Sequence, residues 1–351
     1  MDILSNSVFA ILFVFIIIVT FHELGHYIAA KLCRVDVEVF SVGFGPELAG
    51  FNDRSGTRWR LAFIPLGGYV KMRGDMNAAS MPDPNQHAEP GTLQAASVFQ
   101  RLFIVAAGPF ASFLLAPILI FFVIFNDGQV IDEPIVGQVI ENLPADAAGL
   151  AAEDVIISVD GTQVYTFNEL ARSVQDSGGQ SLKLEVLSAQ GETRLLDIIP
   201  RRQILESGEV RYLLGITPMR EPVPLSMAFD KAVEGSFSLL SGITQAMGNM
   251  VTGKSEGAQV SGPVGIANMA SSAAQQSFSS LLIFTAILSI NLGILNLLPV
   301  PILDGGHILF LFFEMLTGRP VPPPIQVRLY QIGAFLLLAL FLYATFSDIF
   351  L

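Results

Sequence analysis

Residues 13–32 read FVFIIIVTFHELGHYIAAKL. The first half is unbroken apolar sequence. The second half sets His22, Glu23 and His26 in the spacing His-Glu-x-x-His. On a helix, side chains four residues apart project to one side, so both imidazoles can share one metal ion. A glutamate beside the first histidine can act as base toward water, the arrangement of zinc-dependent hydrolysis. Holding such groups in an apolar segment is costly, which marks them as functional. No basic residue precedes the run, and it ends in His-Glu rather than a small-residue cleavage site. It therefore reads as a retained helix, not a cleaved leader.

The surrounding chain has the same character. Of its 351 residues, 52% are hydrophobic and 14% charged, with a mean hydropathy of +0.57. Soluble domains carry about 25% charged residues. The apolar excess gathers at 7–30, 98–125, 278–300 and 327–346. Each run is long enough for a helix to cross a hydrocarbon core of about 30 Å. The net charge of −12 excludes nucleic acid as a partner class. The single cysteine, Cys33, rules out an internal disulfide and reads as a small buried hydrophobe.

Lys31, Arg34, Arg54, Arg58, Arg60, Lys71 and Arg73 lie between the first two runs, and Arg319 and Arg328 before the last. By the positive-inside rule both segments face the cytoplasm, and 126–277 lies outside. His22, His26 and the 299–307 segment then share the cytoplasmic side. Residues 35–73 contain VDVEVFSVGFGPEL and RWRLAFIPLGGYVKM, β-branched and aromatic runs broken by Gly43, Gly45, Gly67 and Gly68. They predict strands and tight turns, dipping into the membrane as a re-entrant sheet. Residues 74–96 read as a mobile polar loop, with His87 solvated.

The middle region, 126–220, reads as one small α+β domain. Strands are predicted at 135–140, 154–161, 181–187 and 194–200, and a helix at 167–175. The 221–277 segment reads as a connector, amphipathic over 224–252 and suited to the membrane surface. The fold class is thus a polytopic α-helical membrane protein of four spans. The first two spans and the hairpins occupy 1–125, and the last two 278–351.

A catalytic zinc takes three protein ligands and keeps one position open. The third is sought in NLGILNLLPVPILDGGHILF, residues 291–310. Asp304 is the best candidate: Gly305 and Gly306 permit close backbone approach, and Pro299 and Pro301 break the helix beside it. A helix cap is its plainer role. His307 is the rival ligand. Asn296 can hold a substrate carbonyl or oxyanion, or else bond between helices; Asn291 suits packing. Two histidines and a carboxylate also suit Fe(II), but Glu23 favours zinc hydrolysis.

HELGH, the downstream NLLPVPILDGG and the domain between them resemble the site-2 protease family of intramembrane zinc metalloproteases, peptidase family M50. The regulator-of-sigma-E protease type is the nearest. GFGP (43–46), IPLGGYVKM (64–72), GPFASF (108–113) and SGPVGIA (261–267) carry the same resemblance. It implies that His22, His26 and Asp304 bind Zn2+, that Glu23 is the base, and that Asn296 helps fix the substrate. It implies that the hairpins, with Gly43, Gly45, Gly67 and Gly68, receive substrate as an added strand. ENLPADAAGLAAEDVIISVDGTQV (141–164) resembles a bacterial PDZ domain, whose Gly149–Leu150 loop faces a peptide groove.

The chain departs from the family at two points. There is room for one PDZ domain where close relatives often carry two, and Ser112 stands where relatives usually have Asn. The implied setting is a bacterial inner membrane, with the site near the cytoplasmic face and the PDZ domain in the periplasm. The implied partners are membrane lipid, a single-span substrate such as an anti-sigma factor or a remnant signal peptide, and an upstream site-1-type protease. The competing reading is a non-catalytic PDZ-bearing scaffold or chaperone, against which Glu23 argues. A zinc transporter would spread polar residues along several spans.

Overall fold

Helix α1 (Ser7–Leu32) carries the apolar run and the HELGH segment without interruption. It stops where Arg34 turns to φ +60°, and Val35 N–H donates back to the Ala30 carbonyl at 2.9 Å. That closure satisfies carbonyls the last turn would leave open. The computed structural model describes residues 7–75, 89–204, 210–254 and 262–350. His87 lies outside them.

Strands β1 (Val37–Asn52) and β2 (Arg58–Met72) follow, antiparallel and sharply bent. Val39, Phe40, Ser41 and Val42 each pair twice, with Lys71 to Gly68 on one flank and with Arg58 to Leu61 on the other. The start of β1 is therefore the middle of the sheet, and 68–72 forms one edge. Outward from the sheet stand exposed Phe44, Leu48, Phe51, Leu61, Phe63 and Ile64. The connecting turn is tied to α1 through Asp53, which accepts from Tyr27 Oη at 2.8 Å and Trp59 Nε1 at 3.0 Å. Trp59 stacks on Phe40 at 4.2 Å. Cys33, expected to be buried, is only half-buried against this cluster, because it sits just past the end of α1.

Helix α2 (Val98–Asp127) is largely apolar between its ends and contains Pro109 and Pro117. The chain then divides into two compact units, one of 1–121 with 232–351, the other of 122–231. In the second lie β3 (Gln129–Val130), β4 (Val136–Val139), α3 (Pro144–Ala147), β5 (Val155–Val159), β6 (Thr162–Gln163), α4 (Phe167–Asp176), β7 (Leu182–Leu187) and β8 (Thr193–Ile198). Strands β6, β5, β7 and β8 form one sheet in that order. Its core includes Ile156, Leu170, Leu184 and Ile198. Thr166 and Glu169 close a reciprocal capping box on α4. The strands and helix expected at 135–200 are present. Missed were β9 (Arg201–Ile204), β10 (Val210–Leu213), β11 (Ile216–Pro218) and β12 (Arg220–Glu221). They are short: β9 and β10 pair with each other, while β11 and β12 pair with the distant β4 and β3.

The amphipathic connector is helix α5 (Leu225–Val251), followed by α6 (Pro263–Gln276). Helix α7 (Phe278–Asn296) ends four residues short of the expected 300, since the prolines at 299 and 301 force a loop. A further helix, α8 (Asp304–Thr317), precedes α9 (Pro323–Phe350). Among the described residues, Val8–Leu32, Val98–Asp127, Phe278–Asn296 and Pro323–Phe350 are long and apolar enough to cross a membrane. In the first unit α1 packs against β2, α6 and α7.

Candidate metal centre

The spacing in α1 aims both imidazoles at the first residue of α8. His22 Nε2 lies 3.2 Å from Asp304 Oδ2, and His26 Nε2 lies 3.5 Å from Asp304 Oδ1. The two Nε2 atoms are 3.3 Å apart. One donor atom from each residue falls within 4.8 Å of the others. Both histidines are buried.

The outward ring nitrogens decide what this cluster can hold. His26 Nδ1 lies 2.9 Å from the Ile104 carbonyl, which can only accept, so Nδ1 carries the proton and Nε2 a lone pair. His22 Nδ1 lies 3.0 Å from Ser112 Oγ, a partner for the same tautomer. With Nδ1 protonated on each ring, two imidazole lone pairs face the Asp304 carboxylate, whose buried Oδ2 lies 3.2 Å from His22 Nε2. A cation would relieve the repulsion among three such acceptors. Two imidazole nitrogens and one carboxylate oxygen suit zinc with an open fourth position.

The packing that creates the site is narrow. Gly108 of α2 lies directly under the His26 ring, and a Cβ there would meet Cε1 at 2.5 Å and Cδ2 at 2.8 Å. Ser112 is fully buried, and its carbonyl accepts from Ser289 Oγ of α7 at 2.7 Å. Gly305 and Gly306 lie against the Leu297, Leu298 and Val300 carbonyls, close enough that no side chain fits. Ile302, just before Asp304, has φ +92°, a strained conformation for a β-branched residue.

A cavity of about 220 Å³ opens on the cluster. It is lined by the two histidines, Glu23, Asp304, Asn296 and His307, with the Gly68–Val70 edge of β2 opposite. Asn296 Nδ2 is 3.1 Å from His22 Nε2. His307 stands on the cavity wall but outside the ligand group, with Nδ1 3.2 Å from Tyr330 Oη.

Of the glycines expected at the substrate, Gly68 reaches the cavity, 3.2 Å from Glu23 Cγ when a Cβ is built on it. Gly43, Gly45 and Gly67 take φ of +93°, +91° and +116° and shape the bends of the sheet. Asn291 does not line the cavity. Gly149 and Leu150 belong to the second unit, where Leu150 is buried in the core. Ile104, Gly108 and Ser112 were not read as site residues. The GPFASF segment was the only signal for Gly108 and Ser112, and nothing in it says that its serine faces a histidine 90 residues away; Ile104 acts through a backbone carbonyl that no side chain announces.

A profile of peptidase family M50 matches residues 10–340. A protein named a putative zinc metalloprotease in Agrobacterium fabrum is 37% identical over 365 residues, covering 99% of this chain and 96% of the relative. Similarly named proteins of Mesorhizobium japonicum and Clostridium acetobutylicum are 36% and 33% identical, each aligned over 97% of its own length.

Proposed function

The chain belongs to peptidase family M50 and is a zinc metalloprotease with four helices apolar enough to cross a membrane; from that premise we propose that it cuts single-span membrane proteins inside the bilayer. The observation that carries this reading is the convergence of His22, His26 and Asp304 beside Glu23, with both histidines and Glu23 inside a helix of membrane-spanning character.

In this reading His22, His26 and Asp304 hold Zn2+. A zinc ion there supplies Lewis acidity that activates water and polarises a carbonyl. Glu23, on the cavity wall, takes the proton of the attacking water and passes it to the departing amine nitrogen. The Asn296 amide donates to the carbonyl oxygen as negative charge develops on it.

A transmembrane substrate buries its amides in its own helix and must unwind before attack. The 68–72 edge of β2 faces the cavity and is the place for an unwound segment to pair as an added strand. The exposed apolar side chains of this sheet support a re-entrant, lipid-facing position.

The remaining assignments follow the resemblance. The 126–220 region acts as a PDZ-like filter, supported by its four-stranded sheet, its capped helix and the turn at Gly149. It lies in the periplasm of a bacterial inner membrane and admits substrates already shortened by a site-1-type protease. Anti-sigma-like proteins and remnant signal peptides are the substrate classes.

The test is cleavage of a tagged single-span protein, with and without its outer domain, by parent and Glu23→Gln protein in detergent, with zinc quantified in both. Cleavage by the parent alone, faster on the trimmed substrate, supports the reading. Binding of peptide tails with no cleavage by either protein would replace it with a scaffold.

A further inference from the structure

Helix α8 carries Asp304, yet it is weakly packed. Among its described residues only Gly305, Gly306 and Leu311 are buried, while Leu309, Phe312, Phe313, Met315 and Leu316 are exposed. Its first turn is fixed by the close approach of Gly305 and Gly306 to the 297–300 backbone, and Phe310 packs edge-on against Tyr330 of α9. Two polar contacts add to this. One is His307 to Tyr330 of α9. The other, near the far end, joins Glu314 to Arg101 of α2.

The second contact is the stronger. Arg101 Nη1 donates to Glu314 Oε2 at 3.0 Å, and Nη2 to Oε1 at 2.6 Å. The paired geometry fixes direction as well as distance. Arg101 Nε donates to the Ala96 carbonyl at 3.2 Å, so the guanidinium is itself held in place. The side chains are only 21% and 15% exposed.

The elements that this pair joins are the ones that shape the metal centre. Arg101 lies one turn before Ile104, whose carbonyl orients His26, and two turns before Gly108, on which the His26 ring rests. Glu314 closes the helix that begins at Asp304.

We propose that Arg101 and Glu314 are positioning residues: their ion pair locks α8 to α2 and so holds Asp304 in register with His26. The inference rests on the three-ligand reading above. Neither residue touches the ligands; the pair acts through the two helices.

Replacing a buried ion pair by apolar side chains of similar size is often neutral for folding, which separates position from stability. Zinc affinity, read by chelator competition, and thermal unfolding would be compared for the parent, Arg101→Met with Glu314→Met, and Arg101→Lys. The double variant should unfold near the parent's temperature but bind zinc about 10- to 100-fold more weakly, as loss of a ligand's support does. Arg101→Lys keeps the charge without the paired donors and should show a smaller loss. Zinc binding within twofold of the parent in both variants would overturn the proposal. Asp304→Ala serves as control: if it retained zinc, the three-ligand reading would fall, and this inference with it.

Discussion

Ser112 Oγ lies 3.0 Å from His22 Nδ1, and the carbonyl of the same serine receives Ser289 Oγ. One buried residue of α2 thus orients a candidate ligand of α1 and ties α7 to the same point. The position is where the family resemblance leads one to expect Asn, and serine supplies the hydrogen bond in its place.

Ser112→Ala should leave the His22 ring free to turn and its Nδ1 without a partner. Zinc affinity should fall about 10- to 100-fold, the usual effect of removing the group that orients a ligand. Ser112→Thr keeps the hydroxyl and should retain most of the affinity. Chelator competition measures both, and an alanine variant with parental affinity would contradict the assignment.

Gly108→Ala separates helix propensity from site geometry. Alanine is better than glycine in a helix interior by about 1 kcal/mol, so on backbone grounds α2 gains. The new methyl group would land on the His26 ring. The expected result is loss of zinc and of cleavage in a protein that still folds. Full zinc occupancy would show that the ring can move aside.

The turn at Asp53 should resist acid. The Trp59 indole N–H, first among several donors that include Ser55, Tyr27 and Thr57, holds this carboxyl well below its ordinary range. A carboxyl lowered by folding stabilises the fold above its unfolded value, about 3.9, and loses that contribution as pH falls toward the folded value. Emission from Trp59, the single tryptophan, should stay constant from neutral pH to about pH 4 and change only in stronger acid. Asp53→Asn should alter the emission already at neutral pH. A parental transition near pH 6 would refute this.

Leu184→Ala should damage the second unit alone. Leu184 is fully buried there, and such a truncation costs about 2–5 kcal/mol. Proteolysis within 122–231 should accelerate while zinc content stays at the parental level. Loss of zinc in step with proteolysis would show that the two units fold as one.

Much of the site was legible because its signals are local. His22, Glu23 and His26 are one helical turn, and the 3.6-residue period alone puts the two imidazoles on one side. Asp304 was legible because two glycines follow it and two prolines precede it. The four spans announced themselves through length and hydropathy; several ends moved by two to four residues, and Pro299 accounts for the early end of α7. The short strands after 200 were illegible because a strand of two to four residues has no period to detect, only a partner.

The sequence by itself determined the apolar runs, the His-Glu-x-x-His turn and the family, since each rests on residues whose spacing along the chain is the chemistry. Only the tertiary structure decided that Asp304 rather than His307 meets the two histidines, and that Gly68 rather than Gly43 reaches the cavity. It alone brought Ile104, Gly108 and Ser112 behind the imidazoles. These are relations between helices far apart in sequence. They depend on how closely two backbones approach and which way a helix is rotated, and packing sets both.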